Sequence, residues 1–153
     1  MKAERTKAEI EPIVKSVAVS WSPEAAFRRF TDEIGTWWPL ETHSLSGERA
    51  QTLTMEGREG GRLYETDVDG NTRLWGTVTA WQPSDYVAFT WHLDRDPSGA
   101  QRVEVRFTAE GEGTTVELTH RDWEVFAERA EEVRGNYDGG WDGVLGRYTQ
   151  ITT

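Results

Sequence analysis

The segment Asn136-Tyr137-Asp138-Gly139-Gly140-Trp141-Asp142-Gly143-Val144-Leu145-Gly146-Arg147-Tyr148 decides how the rest of this chain must be arranged. Tyr137, Trp141, Val144, Leu145, Tyr148 and Ile151 fall at i, i+4, i+7, i+8, i+11 and i+14, which is one stripe of an α-helix. Glycines at 139, 140, 143 and 146 lie between them, each costing about 1 kcal/mol of helix propensity relative to Ala. Such a helix forms only if something packs on its aromatic stripe. The partner lies upstream, where almost everything between 51 and 121 alternates apolar and polar with a period of two. A long antiparallel sheet covered by one helix must curl around it. The space between sheet and helix is therefore the place to look for function.

Working outward, the other elements follow from local chemistry. Ile13, Val17, Val19 and Trp21 share the period of a first strand. Ser22-Pro23-Glu24 reads as a helix start, with Ser as cap, Pro in the first turn and Glu at the positive dipole end. Ala26, Phe27 and Phe30 form its apolar face, and a second short helix from about Thr31 is closed by Trp37-Trp38-Pro39. Two adjacent Trp side chains point in different directions, so at least one of this pair is expected at a surface or a cavity mouth. Residues 39 to 50 form a polar loop containing His43. Strands then carry Leu53 and Met55, residues 62 to 67, residues 74 to 81, Val87-Phe89-Trp91, Val103-Val105-Phe107 and Val116-Leu118-His120. The turns between them are Glu59-Gly60-Gly61, Asp69-Gly70-Asn71, Gln82-Pro83-Ser84-Asp85, Asp96-Pro97-Ser98-Gly99 and Gly111-Glu112-Gly113. A short helix over about 123 to 133 is expected to end at Gly135, with Asn136 capping the final helix.

Composition narrows the function classes. The chain has 153 residues, read as a single domain with residues 1 to 9 as a flexible tail. No run of 18 apolar residues exists, so no membrane insertion is expected. The charged N-terminus leads into no apolar segment, which predicts no secretory signal. Absence of cysteine excludes disulfides and thiolate chemistry and fits a cytoplasmic location. A net charge of −10 argues against a nucleic-acid partner, which needs a basic face. Eight tryptophans are too many for packing alone to be the first expectation, and some should line a cavity.

No catalytic signature stands out. Gly111-Glu112-Gly113 joins two strands and opens no helix, so a dinucleotide-binding reading fails on context. His43, His92 and His120 lie on separate elements without a metal-ligand spacing, and neither metal nor cofactor is expected. His120 is in phase with Val116 and Leu118 and points inward, as a hydrogen-bonded core residue or as a candidate catalyst. His92 falls out of phase with Trp91 and is expected to face solvent. Asp94/Asp96 and Asp122/Glu124 read as turn and capping residues.

An ordered set of pieces carries a resemblance. They are Ser22-Pro23-Glu24-Ala25-Ala26-Phe27, Phe30-Thr31-Asp32 with Trp37-Trp38-Pro39, Glu59-Gly60-Gly61-Arg62, and Trp75-Gly76-Thr77-Val78 with Trp81-Gln82-Pro83. Val103-Glu104-Val105-Arg106-Phe107, the run from Gly113 to His120, and Gly140-Trp141 complete it. Over roughly residues 12 to 150 the chain resembles the START-like, Bet v 1-like superfamily, and within it the bacterial branch of the family named after activators of Hsp90 ATPase. The resemblance implies an α+β helix-grip fold: a curved antiparallel sheet of about six or seven strands around a long C-terminal helix, with two short helices after the first strand. It also implies a cavity. Members of the superfamily bind lipids, sterols and polyketides, and some are cyclases, aromatases or chaperone partners. The separate N-terminal chaperone-binding domain of the eukaryotic activators is not expected in this single-domain chain.

Binding of a small apolar, aromatic ligand between helix and sheet is the leading expectation. Its lining is expected from Trp91, Phe107 and His120 on strands and from Tyr137, Trp141 and Tyr148 on the helix, with Trp37, Trp38 and His43 near the mouth. A cyclase or dehydratase using His120 and a Tyr as acid/base partners is a second reading. A protein-interaction module with a filled interior is the third. As partners the reading names a small apolar molecule and leaves room for a homodimer, while chaperone contact has no support in the residues themselves.

Overall fold

The computed structural model describes residues 10–151, so the expected tail at 1 to 9 lies outside the described residues. Strand β1 (Ile13–Val19) is followed by helix α1 (Pro23–Thr31) and the single-turn helix α2 (Ile34–Trp37). Strands β2 (Ala50–Met55), β3 (Arg62–Asp67), β4 (Thr72–Gln82), β5 (Tyr86–Trp91), β6 (Gln101–Glu110) and β7 (Gly113–Arg121) come next. A 3-10 segment (Trp123–Arg129) then leads into α3 (Ala130–Thr149). The seven strands form one antiparallel sheet in the order β1-β7-β6-β5-β4-β3-β2. The fold is α+β: a curled sheet holding a long C-terminal helix, with two short helices after the first strand.

Alternation places the core. Val103, Val105 and Phe107 on β6 and Val116, Leu118 and His120 on β7 are all buried, and Val103 pairs with His120 while Phe107 pairs with Val116. Ser22 Oγ accepts the Ala25 amide at 3.2 Å, so α1 starts at the expected cap, and it buries Ala26, Phe27 and Phe30. Gly35 lets α2 lie on β2: a Cβ there would come within 2.7 Å of the Leu53 carbonyl oxygen. Gly76 is under a harder constraint, since its Cβ would sit 1.7 Å from the Thr90 carbonyl oxygen. The β3–β4 register shifts beside it, between Leu63 and Tyr64, as a glycine inside a strand often signals.

Two expectations need correction. The final helix does not begin at Asn136. It runs unbroken from Ala130, with Gly135 and Asn136 inside it, and the chain breaks earlier, at Ala127 with φ 52°. Packing overrides the glycine signal, because Val133 packs against the core and Arg134 donates to the carbonyls of Glu11 and Pro12 at 2.7 and 3.1 Å. These contacts clamp the first turns of α3 beside the start of β1, so the helix reaches further back than propensity alone supports. His92, expected to face solvent, is 3% exposed. Strand alternation ends at Trp91: the amides of His92 and Leu93 both donate to the Trp75 carbonyl, and Leu93 and Asp94 take left-handed φ of 49° and 66°. The chain thus folds back, and burial lowers the imidazole pKa of His92.

Among the described residues no helix is long and apolar enough to cross a membrane.

Candidate functional site

The face of α3 that meets the sheet behaves differently at its two ends. Toward the C-terminus, Tyr148 packs edge-on against Phe30 and Trp37 at centroid distances of 5.2 and 5.1 Å, and Phe107 closes on Phe27 at 5.2 Å. Tyr148 Oη donates to the Ala26 carbonyl at 2.7 Å, and Trp37 Nε1 donates to the Arg29 carbonyl at 2.8 Å. Burial raises the Tyr148 phenol pKa well above its usual value. Trp37, Phe107 and Tyr148, three of the expected lining residues, therefore stand in this filled part of the core.

Toward the N-terminus of α3 lies a cavity of about 270 Å³. Its walls are the rings of Trp38, Trp75, Trp91, Tyr137 and Trp141, closed by Leu93 and Val144. The mouth lies between α3, at Asn136 and Gly140, and the loop carrying Thr42, His43, Ser44 and Leu45. No Asp, Glu, Lys or Arg is among these lining residues. Five of the expected residues meet here: Trp38, His43, Trp91, Tyr137 and Trp141.

The rings are fixed by their polar handles. Trp91 Nε1 donates to Tyr137 Oη at 3.1 Å, and Trp38 Nε1 donates to the His43 carbonyl at 2.7 Å. Trp141 Nε1 donates to His120 Nδ1 at 2.9 Å. That bond assigns the neutral tautomer with the proton on Nε2, which then donates to Gln101 Oε1 at 3.0 Å. Gln101 Nε2 in turn donates to the Arg121 carbonyl. His120 is 0% exposed, and burial pushes its pKa down to about 3. It stands behind Trp141 with both ring nitrogens engaged, so it sets the plane of an aromatic wall and does not reach the cavity.

Thr42, Ser44 and Asn136 put polar side chains at the mouth, and Tyr137 and His43 add two more polar groups to the lining. Tyr137 Oη accepts from Trp91 and keeps its own proton to donate. His43 shares a 2.7 Å hydrogen bond with Thr42 Oγ1 through Nδ1, leaving Nε2 on the side of Gly140. The cavity thus offers flat apolar walls, a phenol donor and one imidazole nitrogen, and it can orient an uncharged ring that carries an oxygen substituent.

Sequence reasoning missed Trp75, Thr42, Ser44, Leu45, Leu93, Asn136 and Val144 as lining residues. Trp75 had a signal in the glycine that follows it. Gly76 and the register shift put Trp75 and Val78 on the same face although they are three residues apart, so strict alternation from Val78 gives Trp75 the wrong side.

The family model described as activator of Hsp90 ATPase homolog 1-like protein matches residues 20–151. Among solved structures, the anthrahydroquino-gamma-pyrone synthase Txn09, in complex with a group designated SUM, is 32% identical. The match covers 94% of this chain and 98% of that one with a TM-score of 0.65. The self-sacrificing resistance protein CalC from Micromonospora echinospora is 23% identical over 91% of this chain and 92% of that one, TM-score 0.65. The Aha1 dimer from Colwellia psychrerythraea is 16% identical over 89% and 91%, TM-score 0.64. No curated protein gives a significant match.

Proposed function

This chain belongs to the family of activator of Hsp90 ATPase homolog 1-like proteins, and from that premise we propose that it binds a small, flat, uncharged aromatic molecule between α3 and the sheet. One observation carries the reading: a cavity of about 270 Å³ has five aromatic rings in its walls and no charged side chain. Ligand sites are mostly apolar with a few placed polar groups, and their volumes start at about 300 Å³. This one is at the small end and suits two or three fused rings. Flat rings gain most against Trp and Tyr faces and edges, and a phenol or ketone oxygen on the ligand would meet Tyr137 Oη and His43 Nε2. Trp37, Phe107 and Tyr148 then act as the packed floor, and His120 as the support of Trp141.

The test is a thermal-shift and tryptophan-quenching titration with 2-naphthol and larger polycyclic phenols. A ligand at a hundred times its Kd stabilises the fold by about 2.7 kcal/mol, or roughly 5–10 °C for a domain of this size. Trp141→Ala should weaken that binding at least tenfold in protein that remains folded. Unchanged affinity would put the ligand elsewhere.

The 32% identity with a synthase favours a second reading, in which the same cavity turns over its ligand. The acid/base groups would then be His43 and Tyr137, because His120 does not reach the cavity. A pH–rate profile lost in His43→Gln would support it, and binding without turnover of any polyketide-like phenol would favour the simple binder. A chaperone-contact module calls for a filled interior, and the open aromatic cavity weighs against it.

A further inference from the structure

We propose that Glu65 is the latch of this cavity: one buried carboxylate holds the mouth loop closed and a wall indole in place, and so sets how fast a ligand enters and leaves. This rests on the reading that the cavity binds a ligand.

Glu65 sits on β3, two residues from the buried Leu63, on the inward face of the sheet, and it is 0% exposed. An aliphatic side chain would fill such a position without desolvating an acid. Among the described residues no Lys or Arg pairs with it. Instead three N–H groups converge on its two oxygens. The Leu45 amide donates to Oε1 and the Ser46 amide to Oε2, both at 2.8 Å, and Trp75 Nε1 also donates to Oε1 at 2.8 Å. A carboxylate only accepts, so all three donors depend on this one group, and bonds to a charged acceptor are the stronger kind.

The donors come from two parts of the same cavity. Leu45 and its neighbour Ser44 are on the rim, and Trp75 is in the wall. Leu45 is 37% exposed, an apolar side chain laid over the opening without burial to hold it there. Other side-chain bonds near it stay local: Ser44 Oγ donates to the Leu40 carbonyl and accepts the Gly47 amide, and Trp38 Nε1 binds the His43 carbonyl. Among the described residues Glu65 makes the only side-chain hydrogen bonds that tie Leu45 and Ser46 to the sheet. Arg147 of α3 holds the start of the same loop through Glu41, at 2.7 Å, so Glu65 is the fastening of its Leu45–Ser46 end, and the same group fixes the indole beneath it. Glu65 touches no lining space itself and acts through Leu45, Ser46 and Trp75, as a positioning residue.

The test combines amide hydrogen exchange with stopped-flow binding of 2-naphthol. In the wild type, the Leu45 and Ser46 amides should exchange slowly, like sheet amides, although they lie in a loop. In Glu65→Gln one of the two oxygens becomes an amide nitrogen that cannot accept. Exchange at Leu45 and Ser46 should then rise at least tenfold while β6 and β7 stay protected. Association and dissociation of 2-naphthol should both accelerate several-fold, with a smaller change in Kd. A merely structural role would change stability without that paired change in rates. Fast exchange of the two amides in the wild type overturns the latch even if Glu65→Gln does not fold. Opened amides with unchanged 2-naphthol rates overturn it as well. Failure of 2-naphthol and the larger phenols to bind the wild type removes the cavity reading and the gating role with it, and leaves the amide protection to judge the tether alone.

Discussion

The two ends of α3 face the same sheet with the same kinds of residue, yet one end is solid and the other hollow. At the C-terminal end Tyr148 meets Phe30 and Trp37, with Phe107 beneath Phe30, and its hydroxyl is bonded to the Ala26 carbonyl. At the N-terminal end Trp141 packs on Trp38 and Trp91 and Tyr137 on Trp91, and these rings together with Trp75 border a cavity. The difference lies in what fills the gap. Helices α1 and α2 insert Phe27, Phe30 and Trp37 at the solid end, whereas at the hollow end a polar loop and Gly140 supply almost no side-chain volume. Aromatic content alone does not make a pocket. The rings at both ends pack at centroid distances of 5.1 to 5.8 Å, and the pocket arises where one side of the cluster is left uncovered by a further large side chain.

The comparison can be broken or sharpened experimentally, and the largest effect is expected at the solid end. Tyr148→Ala should cost about 3–5 kcal/mol of stability by denaturant unfolding, as for a buried aromatic cut to Ala. Affinity for 2-naphthol in the folded fraction should stay within roughly twofold. A large loss of affinity there would mean that the two ends are one site.

Acid should expose the role of His120. Its folded pKa of about 3 lies below the ordinary value of roughly 6.5 for an unfolded chain. The stability it contributes is complete above pH 6.5, where both states are neutral. As pH falls from about 6.5 toward 3, the unfolded chain binds a proton that the folded one refuses, and stability falls by up to about 1.4 kcal/mol per pH unit. His120→Gln should flatten that part of the stability–pH curve, and an unchanged slope would contradict the buried neutral tautomer.

Trp141→Phe keeps a ring in the wall but removes the donor to His120 Nδ1. Leaving that buried nitrogen unpaired should cost about 1–3 kcal/mol, measured by denaturant unfolding. His43→Ala should be the mildest change. Stability should stay within about 0.5 kcal/mol, because Trp38 bonds the backbone of residue 43 and not its ring. Affinity for 2-naphthol should drop about fivefold, the worth of one hydrogen bond of about 1 kcal/mol. A loss at His43 without loss of stability, set against the reverse at Tyr148, would separate the two ends cleanly.

How much of this was legible in the chain follows from the range of the forces involved. The stripe from Tyr137 to Ile151, the cap at Ser22 and the alternation along β6 and β7 are set by residues within a few positions of one another, so they can be read directly. The start of α3 could not be, because Gly135 is overruled by Arg134 reaching the carbonyls of Glu11 and Pro12, more than a hundred residues away in sequence. His92 escaped for a related reason. Its burial depends on the Trp75 carbonyl drawing two successive amides and reversing the chain. Inward phase also overstated the site, since Phe107 and His120 both point inward and neither lines the cavity. Glu65 and Trp75 were invisible together, the first because an acid in an inward position reads as surface, the second because a register shift reverses its side.

The amino-acid order by itself determined the elements, the single helix on a curled sheet, and the excess of aromatic side chains between them. Only the tertiary structure decided which of those rings are sealed in the core and which border an opening. Which way a side chain faces is a local matter of period two or 3.6. Whether the space it faces is filled depends on what α1, α2 and the loop over 39 to 50 bring from the far side of the sheet.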